Sequence, residues 1–150
     1  MTDGAKRVLG LDLGEVRIGL ALSDPLGVTA QPLETMNRVG PKKDLRALAA
    51  LARERDVATV VIGLPLLLSG EEGSKAQEAR EFAENLRRHL QGARIELWDE
   101  RMTTVMAERA MIEGSVRRRK RREKVDSLAA VLILQSYLDS RPGPGGDERR

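Results

Sequence analysis

The chain of 150 residues has no cysteine, a single histidine and no long apolar segment. Without cysteine it has neither a disulfide framework nor a thiolate metal site, which is typical of proteins from a reducing compartment. A histidine-based zinc site or a Ser-His triad would require His89, which lies in a charged, helix-like stretch. Because the sequence contains no signal peptide or membrane-spanning segment, we expect a cytoplasmic protein with no membrane partner.

Aromatic residues and net charge are also scarce. Only Phe82, Trp98 and Tyr137 are aromatic, so base stacking can contribute little to an affinity for nucleic acid. The formal net charge is +3, but residues 117–124 alone carry +6 and leave −3 for the rest of the chain. This distribution indicates one local basic patch on a slightly acidic body.

Residues 8–24 have the pattern of a β-hairpin that carries one carboxylate. Alternation places the leucines of the first arm on one face, while Gly10 and Asp12 share a face of smaller side chains. The second arm, residues 17–23, repeats this division, and Gly14-Glu15 fits a tight turn between the arms. Asp12 is therefore expected to lie among glycines, where another backbone or a ligand can approach closely.

The rest of the chain predicts alternating strands and helices in one domain. The predicted elements are a strand within residues 28–38, a helix at 42–55, a strand at 57–64, a helix at 74–90, a strand at 94–98, a helix from 103 or 104 to 113, and a helix at 125–138. This order predicts an α/β fold in which helices pack on a mixed sheet. We expect the domain to span residues 1–140 and residues 141–150 to be a disordered tail, since they are polar and rich in glycine and proline.

Acidic residues stand where predicted strands end or a helix begins, at Asp12, at the pair Asp99-Glu100 and at Asp126. Clustered carboxylates repel one another, and a hard divalent cation such as Mg²⁺ or Mn²⁺ would hold them together. Such a site suits phosphate chemistry, because one metal can activate water while a second stabilises the leaving oxygen. Each acid also has a structural explanation: Asp12 as a satisfied acid, Glu100 as a partner of Arg101, and Asp126 as an acid that favours a helix amino terminus.

Four short motifs follow one another along nearly the whole domain. They are Gly10-Leu11-Asp12-Leu13-Gly14 with Arg17-Ile18-Gly19 and Ser23-Asp24; Val61-Ile62-Gly63-Leu64-Pro65 with Ser69-Gly70; Asp99-Glu100-Arg101 with Thr103-Thr104; and Val125-Asp126-Ser127-Leu128-Ala129-Ala130. In these motifs the chain resembles the YqgF family, also called RuvX, of Holliday-junction-resolvase-like proteins. The resemblance implies an RNase H-like fold with a mixed five-stranded sheet flanked by helices.

The resemblance also implies a divalent-metal-dependent nuclease, a hydrolase in which Asp12, Glu100 and Asp126 are the catalytic and metal-binding residues. Family members are regarded as nucleases of ribosome biogenesis that help to trim the 5′ end of pre-16S rRNA. It therefore implies RNA as the partner and Mg²⁺ or Mn²⁺ as the cofactor. A Holliday junction resolvase that acts on branched DNA is the alternative within the family.

Two assignments among the acids stay open. Alternation places Asp99 with the apolar residues of its strand and Glu100 with Trp98, so periodicity does not choose between the two acids. The choice of Glu100 comes from the resemblance. Glu123 precedes Asp126 by three residues and would share its helix face as a fourth acid if the helix began early. We expect Glu123 instead to interrupt a basic loop.

The basic run at residues 117–124 leads directly into Asp126, so phosphates drawn to it would arrive beside the predicted metal site. Phosphate contacts give salt-dependent binding with weak sequence preference, whereas the alternative is an ordinary solvated surface. The predicted nucleic-acid-binding residues are Arg17, Arg101, Arg117, Arg118, Arg119, Lys120, Arg121, Arg122 and Lys124.

Two further classes of protein compete with the nuclease. An Asp-x-Gly hairpin also forms the phosphate loop of actin-like and sugar-kinase ATP-binding domains, but those enzymes close two such domains around the nucleotide and this chain has one. A catalytically silent RNA-binding module is the other alternative, although it would not require three acids. The oligomeric state is left open between a monomer and a homodimer.

Overall fold

The computed structural model describes residues 6–67, 69–103 and 118–141, and only the backbone of residue 102 and of residues 118–127. Within these ranges the strands are β1 (Arg7–Leu13), β2 (Arg17–Ser23), β3 (Ala30–Asn37), β4 (Val57–Leu64) and β5 (Arg94–Asp99). The α-helices are α1 (Pro41–Glu54), α2 (Ser74–His89) and α3 (Arg118–Ser140), and a 3₁₀-helix (Glu100–Met102) directly follows β5. No described helix has both the length and the apolarity that a bilayer crossing requires.

The five strands form one mixed sheet in the order β3-β2-β1-β4-β5. β1 and β3 both run antiparallel to β2, whereas β1, β4 and β5 run parallel to one another. Parallel neighbours need a long connection, and α2 supplies the one between β4 and β5. The predicted α/β fold with a mixed five-stranded sheet is confirmed. The carboxyl ends of β1, β4 and β5 lie along one side of the sheet, here named the carboxyl edge.

The opening hairpin has the predicted strands and a slightly longer turn. Asp12 lies opposite Gly19, and Leu13 lies opposite Ile18. Residues 14–16 connect the strands, one residue more than the predicted Gly14-Glu15 turn, and the Gly14 N–H donates to the Arg17 carbonyl at 2.9 Å. The longer turn lies at the carboxyl edge, two residues beyond Asp12.

Two hydrophobic clusters cover the two faces of the sheet. The leucines of the hairpin pack with α1 and α2, while the face of small side chains packs against α3. A Cβ on Gly10 would lie 2.8 Å from the Leu134 Cβ and 3.3 Å from the Ala130 carbonyl oxygen, closer than side chains normally approach. The predicted approach of another backbone to this face is therefore made by α3, and Gly10 permits it.

Helix α3 begins at Arg118, seven residues before the predicted start at residue 125. Two interpretations are therefore wrong: Asp126 does not lie in the first turn of the helix, and Glu123 does not interrupt a loop. Arginine, lysine and glutamate are good helix formers, so a strongly charged run can continue the helix that the apolar residues after it predict. The bounds of the other predicted elements in the described ranges differ from the observed ones by at most two residues.

Three predictions fall outside the described residues. They are the helix from residue 103 or 104 to residue 113, a basic contact at Arg117, and nearly all of the disordered tail at 141–150. Thr103 itself closes the 3₁₀-helix, where its backbone N–H and its hydroxyl donate to the Glu100 carbonyl at 3.1 Å and 2.7 Å.

Ser23-Asp24, part of the first motif, shapes the connection between β2 and β3. The Asp24 carboxylate accepts hydrogen bonds from the backbone N–H groups of Leu26, Val28 and Thr29. These bonds, chiefly the one from Thr29, lower the pKa of Asp24 below its usual value. This acid therefore stabilises a loop at the opposite end of the sheet from the carboxyl edge.

Candidate active site

Asp12 lies near the carboxyl end of β1 and is only 3% exposed. Strand alternation directs it to the face that α3 covers, together with Val8 and Gly10. Its cross-strand neighbour is Gly19, which has no side chain, so the residues around Asp12 on this face are small. A buried carboxylate in such surroundings is costly unless other groups balance its charge.

Glu100, the first residue of the 3₁₀-helix, lies over the neighbouring strand β4. Its carboxylate oxygen Oε2 is 2.7 Å from the place that a Cβ of Gly63 would occupy, and its Cγ is 3.2 Å from it. Leu11 of β1 pairs with Ile62 of β4, so the next residues along these strands, Asp12 and Gly63, are neighbours. Adjacent strands are about 4.8 Å apart. The fold thus places the Glu100 carboxylate over the residue that neighbours Asp12 in the sheet.

Asp99 has a different environment from Glu100. Its carboxylate accepts hydrogen bonds from the backbone N–H of Arg101 at 2.9 Å and from two guanidinium nitrogens, Nε at 3.1 Å and Nη2 at 2.8 Å. The Arg101 side chain lowers the pKa of Asp99 through these bonds, and Asp99 in turn raises the pKa of Arg101. Asp99 is therefore engaged with Arg101, whereas the Glu100 carboxylate lies against Gly63 of β4.

The guanidinium of Arg101 also contacts the loop between β4 and α2. Its Nη1 is 3.2 Å from where a Cβ on Gly70 would be, and Gly70 has a φ of +95°, which disfavours any other residue. Arg101 thus links the 3₁₀-helix to this loop. This contact was not predicted from the sequence, although its residues belong to the quoted motifs Ser69-Gly70 and Asp99-Glu100-Arg101.

A cleft of about 280 Å³ opens at the carboxyl edge beside Glu100. The loop after β4, the start of α2 and the 3₁₀-helix line it with Pro65, Leu66, Leu67, Gly73, Ser74, Lys75, Glu100 and Arg101. The Lys75 Nζ lies 3.2 Å from Oε2 of Glu15 in the hairpin turn, so this turn is close to the cleft as well. The cleft and the two buried carboxylates together form the candidate site.

A family model described as RuvX, Holliday junction resolvase, matches residues 6–140. The chain belongs to the RuvX family. Relatives from Myxococcus xanthus and Clostridioides difficile, both named "Putative pre-16S rRNA nuclease", are 49% and 45% identical to it over 141 and 139 residues. These alignments cover 94% and 93% of this chain and 93% and 96% of the relatives. The family that the four motifs indicated is confirmed.

The fold of this RuvX-family chain can also be compared with solved structures. RuvC from T. thermophilus, in a complex with a Holliday junction substrate, aligns with a TM-score of 0.54 at 15% identity. The alignment covers 90% of this chain and 96% of that chain, and a second T. thermophilus RuvC structure aligns with a TM-score of 0.52. This likeness confirms the RNase H-like fold.

The other predicted residues of this RuvX-family site are Asp126 and the basic residues. Asp126 lies in the third turn of α3, one turn before Ala130, whose carbonyl approaches Gly10 of β1. Its side chain lies outside the described residues, as do those of the basic residues of 118–124 in the same helix. Arg17 begins β2 on the face of Gly19 and Asp12, while the charge of Arg101 is paired with Asp99. Their roles in binding stay predictions.

The donor set of the site suits a hard divalent cation. Among the described side chains, no group of three or more acids or histidines is arranged to hold a metal ion. Two of the three predicted ligands, Asp12 in β1 and Glu100 directly after β5, are nevertheless both buried, and both offer carboxylate oxygens. Mg²⁺ and Mn²⁺ prefer such oxygens. The third predicted ligand, Asp126, is on the helix that covers this face.

Proposed function

We propose that the chain is a metal-dependent nuclease that hydrolyses phosphodiester bonds of RNA and matures the 5′ end of pre-16S rRNA. The observation that carries this proposal is the position of Asp12 and Glu100, both buried at the carboxyl edge of a RuvX-family fold, with the Glu100 carboxylate against Gly63 of the strand next to β1. The names of the Myxococcus and Clostridioides relatives support the choice of substrate. Binding sites in sheets of this type commonly lie beyond the carboxyl ends of the strands.

Asp12, Glu100 and Asp126 would hold the Mg²⁺ or Mn²⁺ ions. When bound, the metal supplies an activated water and neutralises charge on the leaving oxygen. The chain contributes rigid placement of the ligands: Asp12 is fixed by β1, and Glu100 is fixed against Gly63 by the short 3₁₀-helix. Rigid placement matters because small displacements of reacting groups reduce rates strongly.

Cleavage should depend on the metal and should favour the precursor RNA. We expect a 5′-extended 16S rRNA fragment to be cut in Mg²⁺ or Mn²⁺ and to stay intact in excess chelator. A four-way DNA junction and an unrelated single-stranded RNA, measured in the same assay, should be cut more slowly. ATP with Mg²⁺ serves as a control and should show neither binding by calorimetry nor turnover.

Each other outcome points to a different function. Full cleavage in chelator would contradict the metal-dependent mechanism. A junction cut faster than the precursor RNA would favour the resolvase function that the description of the family model names. Micromolar ATP affinity with turnover that requires Asp12 would favour an ATP-binding domain, and RNA binding without any cleavage would favour a silent module.

The basic run should bind phosphates without taking part in the chemistry. Arg118 and Arg121 are three residues apart in α3, so their positions lie on one side of the helix. The double variant Arg118→Gln/Arg121→Gln should weaken the binding of single-stranded RNA of any sequence. Its log-log salt slope should shrink by about 0.7 for each phosphate that the variant no longer binds, while cleavage at saturating substrate stays unchanged.

A matched variant removes the same charge far from the carboxyl edge. Lys6 precedes β1, and Arg88 lies in the last turn of α2, so both are near the amino ends of strands. Lys6→Gln/Arg88→Gln should leave the salt slope unchanged. An equal effect of both double variants would mean that only net charge matters, and the basic run would then be an ordinary solvated surface.

A further inference from the structure

The cleft beside Glu100 combines an apolar wall with a cationic one. Pro65, Leu66 and Leu67 form the apolar side, and Lys75 lies at the first turn of α2. Its volume of about 280 Å³ is just below the range of small-molecule sites, roughly 300–1,000 Å³. Such a space suits one nucleotide and is too small for a base pair.

Backbone hydrogen bonds hold Leu67 in the apolar wall, although its side chain faces solvent. Leu67 is 52% exposed, yet its backbone N–H donates to the Glu71 carbonyl at 2.9 Å and its carbonyl accepts from the Gly70 N–H at 2.8 Å. The Leu67 side chain also lies against Gly73, 3.7 Å from where a Cβ would be. A half-exposed leucine on a backbone held in this way offers an apolar surface to a planar ligand without a rearrangement of the loop backbone.

Lys75, which forms the cationic side of the cleft, can exchange the Glu15 carboxylate for a phosphate. Lys75 pairs with Glu15 at 3.2 Å, but the two side chains are 60% and 82% exposed, so the pair contributes little stability. Releasing Lys75 to a backbone phosphate therefore costs little. Arg101, in contrast, is fixed to Asp99 by several hydrogen bonds and shapes the cleft without leaving its partner.

We propose that this cleft is a single-nucleotide subsite for the nucleotide next to the scissile phosphate. The base lies against Leu66 and Leu67, and its phosphate contacts Lys75, while Glu100 forms part of the same cleft. This inference rests on the proposed nuclease function. Because the cleft excludes a base pair, the strand must be unpaired at this position, and the enzyme selects single-stranded segments of its substrate. An aliphatic wall has no specific contacts to base edges, so it accepts any of the four bases.

The test couples Leu67 to one base of the substrate. A series of single-stranded precursor fragments carries one abasic site at each position around the cut, and KM and kcat are measured for each. In the parent, an abasic site at one position next to the cut should raise KM roughly fivefold, about 1 kcal/mol. The reason is that this fragment lacks the base that would lie against the apolar wall. In Leu67→Ser this position should lose its effect, because the two changes remove the same interaction.

Two control variants separate this interaction from general effects. Leu26→Ser changes a leucine that is 70% exposed in the β2–β3 loop, and it should keep the abasic effect of the parent. Lys75→Met should raise KM by a similar factor for every fragment, with or without an abasic site. Abasic effects that are identical in the parent and in Leu67→Ser would overturn the subsite, as would equal cleavage of a fully paired duplex.

Binding measured in chelator keeps this test separate from the nuclease function. Fluorescence anisotropy with the same fragments should show the same coupling between Leu67 and the abasic position. If binding shows the coupling but no cleavage occurs with metal, the proposed nuclease function is contradicted and the nucleotide subsite is supported. If cleavage occurs without the coupling, the nuclease function is supported and the subsite is contradicted. A nucleoside 5′-monophosphate should bind only weakly and compete with the strand. Tight mononucleotide binding without competition would indicate a regulatory site and overturn the proposal.

Discussion

Glu100→Gln is expected to reduce metal-dependent cleavage by on the order of 10³-fold or more, and Asp12→Asn and Asp126→Asn should do the same. The amides keep the shape of each side chain but remove its charge and one metal-binding oxygen. Because the three acids act together, the double variant Asp12→Asn/Glu100→Gln should lose little beyond either single change. Single-turnover rates at saturating metal measure these losses directly.

Metal-dependent thermal stability gives a second measurement that does not require cleavage. A cation that binds only the folded chain raises its melting temperature, since binding adds to the free energy of unfolding. Mg²⁺ or Mn²⁺ should therefore raise the Tm of the parent, and the rise should be absent from the amide variants. An equal rise in the parent and in all three variants would place the metal elsewhere.

Asp99→Asn is the matched control for Glu100→Gln. The two acids are adjacent, but Asp99 is bound to Arg101, while the Glu100 carboxylate lies over Gly63 beside Asp12. Arg101 lowers the pKa of Asp99, so this ion pair is intact at neutral pH and the amide weakens it. Asp99→Asn should keep most of the cleavage rate and the metal-dependent rise in Tm. An inactive Asp99→Asn together with an active Glu100→Gln would reverse the assignment.

Much of the site could be predicted because strand alternation is strict. Leucines and glycines on opposite faces of residues 8–24 revealed which side of the sheet could accept a close neighbour, and Asp12 lies on that side in the structure. Alternation also placed Glu100 on the face of Trp98, which packs with the α3 cluster. What it could not reveal was the distance between acids on separate strands, because that depends on which strands are neighbours.

The failures have equally specific causes. The start of α3 was misplaced because an apolar pattern marks the buried part of a helix, while the charged first turns of α3 have no such pattern. The contact between Arg101 and Gly70 joins residues 31 positions apart through a loop, and no periodicity reports such a contact. Gly63 entered the sequence analysis only as part of the second motif, although its missing side chain is what accommodates Glu100.

Gly63→Ala should therefore reduce cleavage strongly, although Gly63 is not one of the acids. Its Cβ would lie 2.7 Å from Oε2 of Glu100 and 2.6 Å from Cδ1 of Ile133, and both side chains are buried. Overpacking of this kind costs about 1–3 kcal/mol of stability, which denaturant titration measures. Displacing the carboxylate by about 1 Å also reduces the rate on the order of 10²-fold. At temperatures where the variant is still folded, its cleavage rate should therefore fall by more than the fraction of unfolded protein explains.

Two other glycines separate misplacement of Glu100 from a general loss of packing. Gly10→Ala would place its Cβ 2.8 Å from the Leu134 Cβ, so it should destabilise the fold through α3 without direct contact with Glu100. Gly92→Ala meets nothing within 4 Å and should change neither stability nor rate. If Gly63→Ala lost only as much activity as an equally destabilised Gly10→Ala, the position of Glu100 over Gly63 would be irrelevant to cleavage. A larger loss of activity in Gly63→Ala than in Gly10→Ala would show that the Glu100 carboxylate takes part in cleavage.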